Sequence, residues 1–185
     1  MKLFLIRHGE ADPKIENTPL TKKGIIQAKL VAKELLNYNF DKIYSTKKNT
    51  NSSRLSSDKV LAIVAQDFIQ EGFEVETGKK KDEKIRVPVL FGHQGITEQA
   101  FEVDGWDKKN KIVLEIEAGR AYTNHQFLKD IFESSVMVNV DYLILAVRNL
   151  YKEQKDYEKI RSWLDTLYIT KRIHFELKGI LLVGY

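Results

Sequence analysis

Cysteine is absent from the 185 residues. Disulfides, a thiolate nucleophile and cysteine-ligated zinc are therefore excluded. No apolar run approaches the ~18–20 residues that a membrane-spanning helix needs. The opening MKLFLIRHGE turns charged too soon for a secretory signal peptide, so the expectation is a cytoplasmic protein with no membrane contact. Internal repeats and low-complexity tracts are missing, and prolines number only three. Charge of one sign does not dominate, because 30 basic residues face 26 acidic ones. What the chain does have is 43% hydrophobic and 10% aromatic residues, enough to bury a core in one domain or two small ones. Its net charge of +4 is unevenly placed: the first fifty residues hold ten basic and five acidic groups. A pI near 9 permits contact with nucleic acid, although solvated helix faces account for the same excess.

Periodicity divides the chain in two. Lys2–Ile6 is a short apolar run that ends at Arg7-His8-Gly9-Glu10 and reads as a buried strand followed by a loop. Thr21 is placed to cap a helix whose apolar residues include Ile25, Ala28, Leu35 and Leu36, and Phe40–Ser45 reads as a second strand. Residues 46–57 are the most polar stretch. The expected organisation is a strand-helix-strand segment over 1–48, a polar linker over 49–57 and a second domain over 58–185. In that domain the spacing predicts helices over 58–71, 123–137 and 156–168. Strands are predicted over 73–77, 86–91, 99–103, 111–117, 140–147 and 179–185. The first four strands read as a meander. The fold class is α/β, a mixed central sheet flanked by helices.

Two motifs carry chemistry. In the first, an arginine and a histidine follow a buried strand and precede a flexible glycine. A histidine so placed can present a ring nitrogen as a nucleophile, and the arginine can hold a phosphate through forked hydrogen bonds. With Pro19-Leu20-Thr21, Gly24, Gln27-Ala28 and Phe40-Asp41-Lys42-Ile43-Tyr44-Ser45 following, this run of about 45 residues resembles the start of the histidine phosphatase (phosphoglycerate mutase-like) superfamily. The resemblance implies that His8 accepts a phosphoryl group and Arg7 binds phosphate. Arg54 and His93 are the candidates for the second arginine and second histidine that such a site requires.

The second motif is acidic. Phe101-Glu102-Val103-Asp104 ends one predicted strand, and Lys111–Glu117 forms the next. Alternation puts Val113, Glu115 and Glu117 on one face, and Asp104 lies across a turn from them. Like-charged carboxylates beside a buried strand repel unless a cation lies between them, and oxygen-only ligands suit Mg2+ or Mn2+. Asp104, ten residues, then Glu115-Ile116-Glu117 resembles the PD-(D/E)XK nuclease superfamily, with Glu117 in place of the usual lysine. Residues 56–185 resemble this restriction-endonuclease-like type more broadly. The resemblance implies that Asp104, Glu115 and the Ile116 carbonyl hold the metal, while Glu117 orients or deprotonates water. Arg120, Gln126 and Lys129 would then lie toward the scissile phosphate.

Three functions follow as expectations. The preferred one is a metal-dependent phosphodiester hydrolase acting on DNA, catalysed through Asp104, Glu115 and Glu117 and working as a homodimer. The alternatives are a histidine phosphatase with a phospho-His8 intermediate, and an inactive nucleic-acid-binding module.

Overall fold

The computed structural model describes Lys2–Ile6 and residues 55–185. The helix expected from Thr21, the strand expected over Phe40–Ser45 and most of the expected linker lie outside the described residues. The fold is α/β, with a mixed central sheet and helices on both of its faces.

In chain order the elements are β1 (Lys2–Ile6), α1 (Ser57–Gln70), β2 (Glu74–Val75), β3 (Ile85–Phe91), β4 (Thr97–Val103), β5 (Gly105–Asp107), β6 (Ile112–Glu117), α2 (Gln126–Val136), β7 (Tyr142–Val147), α3 (Asp156–Thr170) and β8 (Gly179–Gly184). Among the described residues, six strands form one sheet in the order β1-β8-β7-β6-β5-β2. The pairs from β6 through β7 and β8 to β1 are parallel. β5 runs antiparallel to both β6 and β2. β1 lies along β8, in the same sheet as β2, β5, β6 and β7.

Parallel strands are covered on both faces, which is why YLILAV and GILLVG are almost wholly apolar. The crossovers β6-α2-β7 and β7-α3-β8 advance across the sheet in one direction. Right-handed connections then place both helices on one face. There Phe127 and Ile131 of α2 and Ile160 and Leu164 of α3 pack on Val113, Leu143, Leu145, Ile180 and Leu182. The alternate residues Ile112, Leu114, Ile116 and Ile144 face the other way and pack with Leu61 of α1, Phe73 and Val75.

Helix α1 ends at a residue only glycine adopts easily. Gly72 has φ of +99°, and the N–H of Phe73 reaches back to the Phe68 carbonyl at 3.0 Å, which closes the last turn. Two expectations change. The predicted strands over 86–91 and 99–103 exist, but they pair with each other in a separate two-stranded hairpin rather than extending the central sheet. Val87 and Val103 bury the root of this hairpin in the core beside α2, and the Pro88 carbonyl accepts the Val138 N–H at 2.9 Å. Helix α2 starts at Gln126 instead of 123, because His125 adopts a left-handed backbone with φ of 55°. Among the described residues, no helix is long and apolar enough to cross a membrane.

Candidate functional site

The alternation expected along β6 is present. Val113 packs on the α2 side, and Glu115 and Glu117 share its parity. The β5–β6 ladder pairs Gly105 with Leu114 and goes no further, so among the described residues the next β6 donors have no strand partner on that side. Asp104 fills the gap, its Oδ2 accepting the Ile116 N–H at 2.7 Å. From the helix layer, Asp130 of α2 joins them. It is only 3% exposed, and its Oδ2 has no hydrogen-bond partner among the described residues.

These four carboxyl groups share one electrostatic environment. Burial pushes Asp104 up to about 6, against the stabilising N–H of Ile116. Burial and then the charge of Asp104 push Glu117 up to about 7. Asp130 is pushed up to about 8, by burial first and then by Glu117. Glu115 is raised well above the usual carboxylate range by burial, followed by the charges of Asp130, Asp104 and Glu117. Around neutrality the cluster therefore holds protons that isolated carboxylates would have lost.

Among the described residues, no group of three acidic or histidine side chains could hold a metal ion. The Ile116 N–H is committed to Asp104, and the residue is in register with Ala146 of β7.

The second region is the edge where the parallel strands end. Glu117 is in register with Val147, and Val147 with Gly184, while Ile6 at the end of β1 is in register with Val183. Open α/β sheets hold their ligands outside the carboxyl ends of such strands. Arg148 follows β7 here. It is 8% exposed, donates to the Leu55 carbonyl and stands 5.7 Å from the ring centre of Tyr151. The Tyr185 hydroxyl donates to the Glu117 carbonyl at 2.9 Å, and burial pushes it up to about 12. The Asn149 N–H closes the same corner by donating to the Tyr185 carbonyl at 2.7 Å.

The sequence-predicted site residues thus separate. Asp104, Glu115 and Glu117 come together. Lys129 is exposed and pairs with Glu133 at 3.4 Å. Gln126 opens α2, and Arg120 is exposed in the preceding loop with φ of 60°. His93 sits at the exposed tip of the β3–β4 hairpin, in the turn His93–Gly95, and not at the carboxyl edge of the central sheet. Arg7, His8 and Arg54 lie outside the described residues; Arg7 and His8 are the residues that follow β1 in the chain.

Asp130 is the cluster member that sequence reasoning missed. Its signal was present. Phe127, Asp130, Ile131 and Ser134 recur at three- and four-residue intervals and are all buried, so the aspartate stands within the stripe that faces the sheet.

Comparison with known proteins points to the first motif. Residues 3–49 match the histidine phosphatase superfamily (branch 1). A 2,3-bisphosphoglycerate-dependent phosphoglycerate mutase of Thermoplasma acidophilum is 31% identical over 134 residues, which cover 65% of this chain and 66% of that protein. The chain thus spans just under two thirds of the length of this relative. No solved structure matches. These findings overturn the preferred expectation of a magnesium-dependent endonuclease acting on DNA, and with it the restriction-endonuclease-like assignment of residues 56–185. The physical reason is that an acidic doublet beside a third carboxylate is a short pattern, which a buried proton-sharing cluster satisfies as well as a metal centre does. What the chain is similar to, through Arg7-His8-Gly9 and the residues around it, is the histidine phosphatase superfamily.

Proposed function

We propose that the chain is a phosphoryl-transfer enzyme of the histidine phosphatase type, a phosphatase or mutase acting on small phosphate esters. The observation that carries this reading is the match over residues 3–49, which contains Arg7-His8-Gly9. The topology supports it, because β1 ends at the carboxyl edge of a parallel sheet, where such folds hold anionic ligands.

The chemistry follows from the residue types. An imidazole nitrogen of His8 attacks phosphorus, and the bond to the ester oxygen breaks. The departing alkoxide takes a proton from an acid. Phosphohistidine then passes its phosphoryl group to water in a phosphatase, or to a second hydroxyl in a mutase. The guanidinium of Arg7 offsets the charge of the equatorial oxygens. Arg148 follows β7, two ladders from β1. At ~4.8 Å per ladder that is about 10 Å, within the combined reach of an arginine side chain and a phosphate between them. Glu117 is a third ladder away, about 14 Å.

The test is phosphate release from p-nitrophenyl phosphate, together with capture of the phosphorylated protein. The expected intermediate is labile in acid and stable in base. His8→Ala abolishes both signals, a loss of at least about 10³-fold, since the covalent route is removed. Release that persists in His8→Ala overturns the proposal.

A further inference from the structure

The two edges of the parallel strands treat positive charge differently. At the amino edge it is paired. Lys111, just ahead of β6, and Lys178, just ahead of β8, both meet Asp141, just ahead of β7, at 3.5 and 2.8 Å. At the carboxyl edge Arg120 follows β6, and Arg148 and Lys152 follow β7. Among the described residues, none of these three has an ion-pair partner.

Arg148 is the member built into the fold. It is 8% exposed, and its guanidinium donates to the Leu55 carbonyl, just ahead of α1. The guanidinium carbon stands 5.7 Å from the ring centre of Tyr151. That ring is itself wedged against the loop after β6, where a Cβ at Gly119 would come within 2.6 Å of it. These contacts hold the side chain, yet they supply no negative charge, and Nε has no hydrogen-bond partner among the described residues. The nearby carboxylates are placed or engaged elsewhere. Glu117 has the parity of the α2 side, opposite to Leu55, and Asp156 accepts the Gln154 amide at 2.9 Å. A buried guanidinium is expensive unless an anion meets it, and its planar fork matches the oxygens of a phosphate.

The register places this fork where a ligand belongs. Ile6 and Ala146 are both aligned with Val183, so Arg148 comes as many residues after Ala146 as His8 comes after Ile6. We propose that Arg148 binds the oxygens of the phosphate group on which the chain acts, in the role expected of Arg54. That the phosphate belongs to a substrate rests on the phosphatase reading; that Arg148 holds a phosphate does not.

The full chain is titrated calorimetrically with orthophosphate, and turnover of p-nitrophenyl phosphate is measured beside it. Arg148→Gln is expected to weaken orthophosphate binding about tenfold or more, the loss of a charged hydrogen bond, and to lower kcat/KM at least as much. Arg148→Lys keeps the charge without the fork and recovers part of both. Lys178→Gln, at the opposite edge, changes neither. His8→Ala ends turnover and keeps Arg148-dependent orthophosphate binding. A parent that binds orthophosphate through Arg148 but turns over no ester supports the anion site and breaks the phosphatase reading. Turnover that needs His8, with binding and turnover indifferent to both Arg148 variants, overturns the proposal and leaves that reading intact. A parent that binds no orthophosphate overturns it too. If Arg148→Gln does not fold, Arg148→Lys decides: weakened binding at the parent's melting temperature supports the proposal, and parent-like binding overturns it.

Discussion

Strand β6 shows two different surfaces to the molecule. Toward α1 it presents Ile112, Leu114 and Ile116, all buried among apolar neighbours. Toward α2 it presents Val113, then Glu115 and Glu117, which meet Asp104 and Asp130. The backbone, register and neighbouring strands are the same, and only the parity of the residue differs. The apolar face gains from area removed from water and is indifferent to pH. The acidic face is held by its surroundings at a cost in desolvation, and its contribution changes with every proton it loses.

The largest break in this comparison comes from the apolar side. Leu114 is 1% exposed between α1 and the sheet. Leu114→Ala is expected to destabilise the protein by about 2–5 kcal/mol, measured by urea denaturation, with little change in the pH dependence of stability.

The acidic side supplies the next effect. Asp104, Glu117 and Asp130 have folded values of about 6, 7 and 8, above those of unfolded carboxylates. The folded chain therefore binds more protons than the unfolded one. The stabilisation is fully present below about pH 4, where both states are protonated, and is lost as pH rises through 6 to 8. Urea midpoints taken at intervals from pH 5 to pH 8.5 should fall steadily. Glu117→Gln should flatten that fall by on the order of 2 kcal/mol. A midpoint that rises over this range in the parent would show that the cluster is fully charged when folded.

The smallest effect sharpens the comparison at the point where β6 ends. The Tyr185 hydroxyl donates to the Glu117 carbonyl, not to its carboxylate. Tyr185→Phe is expected to cost about 1 kcal/mol in the same assay and to leave the pH slope of Glu117 in place.

Much of this architecture was legible because its parallel strands are sandwiched between helices. Burial on both faces makes Tyr142–Val147 and Gly179–Gly184 unbroken apolar runs, and such runs need no partner to be recognised. The β3–β4 hairpin was legible only as strands. Alternation says which residues point inward and nothing about which strand lies alongside, so its separation from the main sheet was hidden. Asp104, Glu115 and Glu117 could be brought together from parity and one short turn. Asp130 could not, because its partners depend on how α2 is laid across the sheet. The two motifs differ in specificity for a related reason. Three carboxylates in a loose pattern are a weaker signal than Arg7-His8-Gly9, whose chemistry is narrower and whose surrounding residues match a known family.

The pairing of β1 with β8 has a consequence for synthesis. Lys2 is aligned with Gly179 and Ile6 with Val183, so the earliest-made strand of the sheet waits for the last. At about 5–20 residues per second, the ribosome extends the chain for many seconds before β8 emerges. Over that interval β1 has no template along which to lie. Completing the sheet then requires a closure between residues some 177 positions apart, as from Lys2 to Gly179, which raises contact order and slows the final step. A nascent chain stalled ahead of Gly179 would hold β6 and β7 ready while the histidine-bearing segment still lacked its seat.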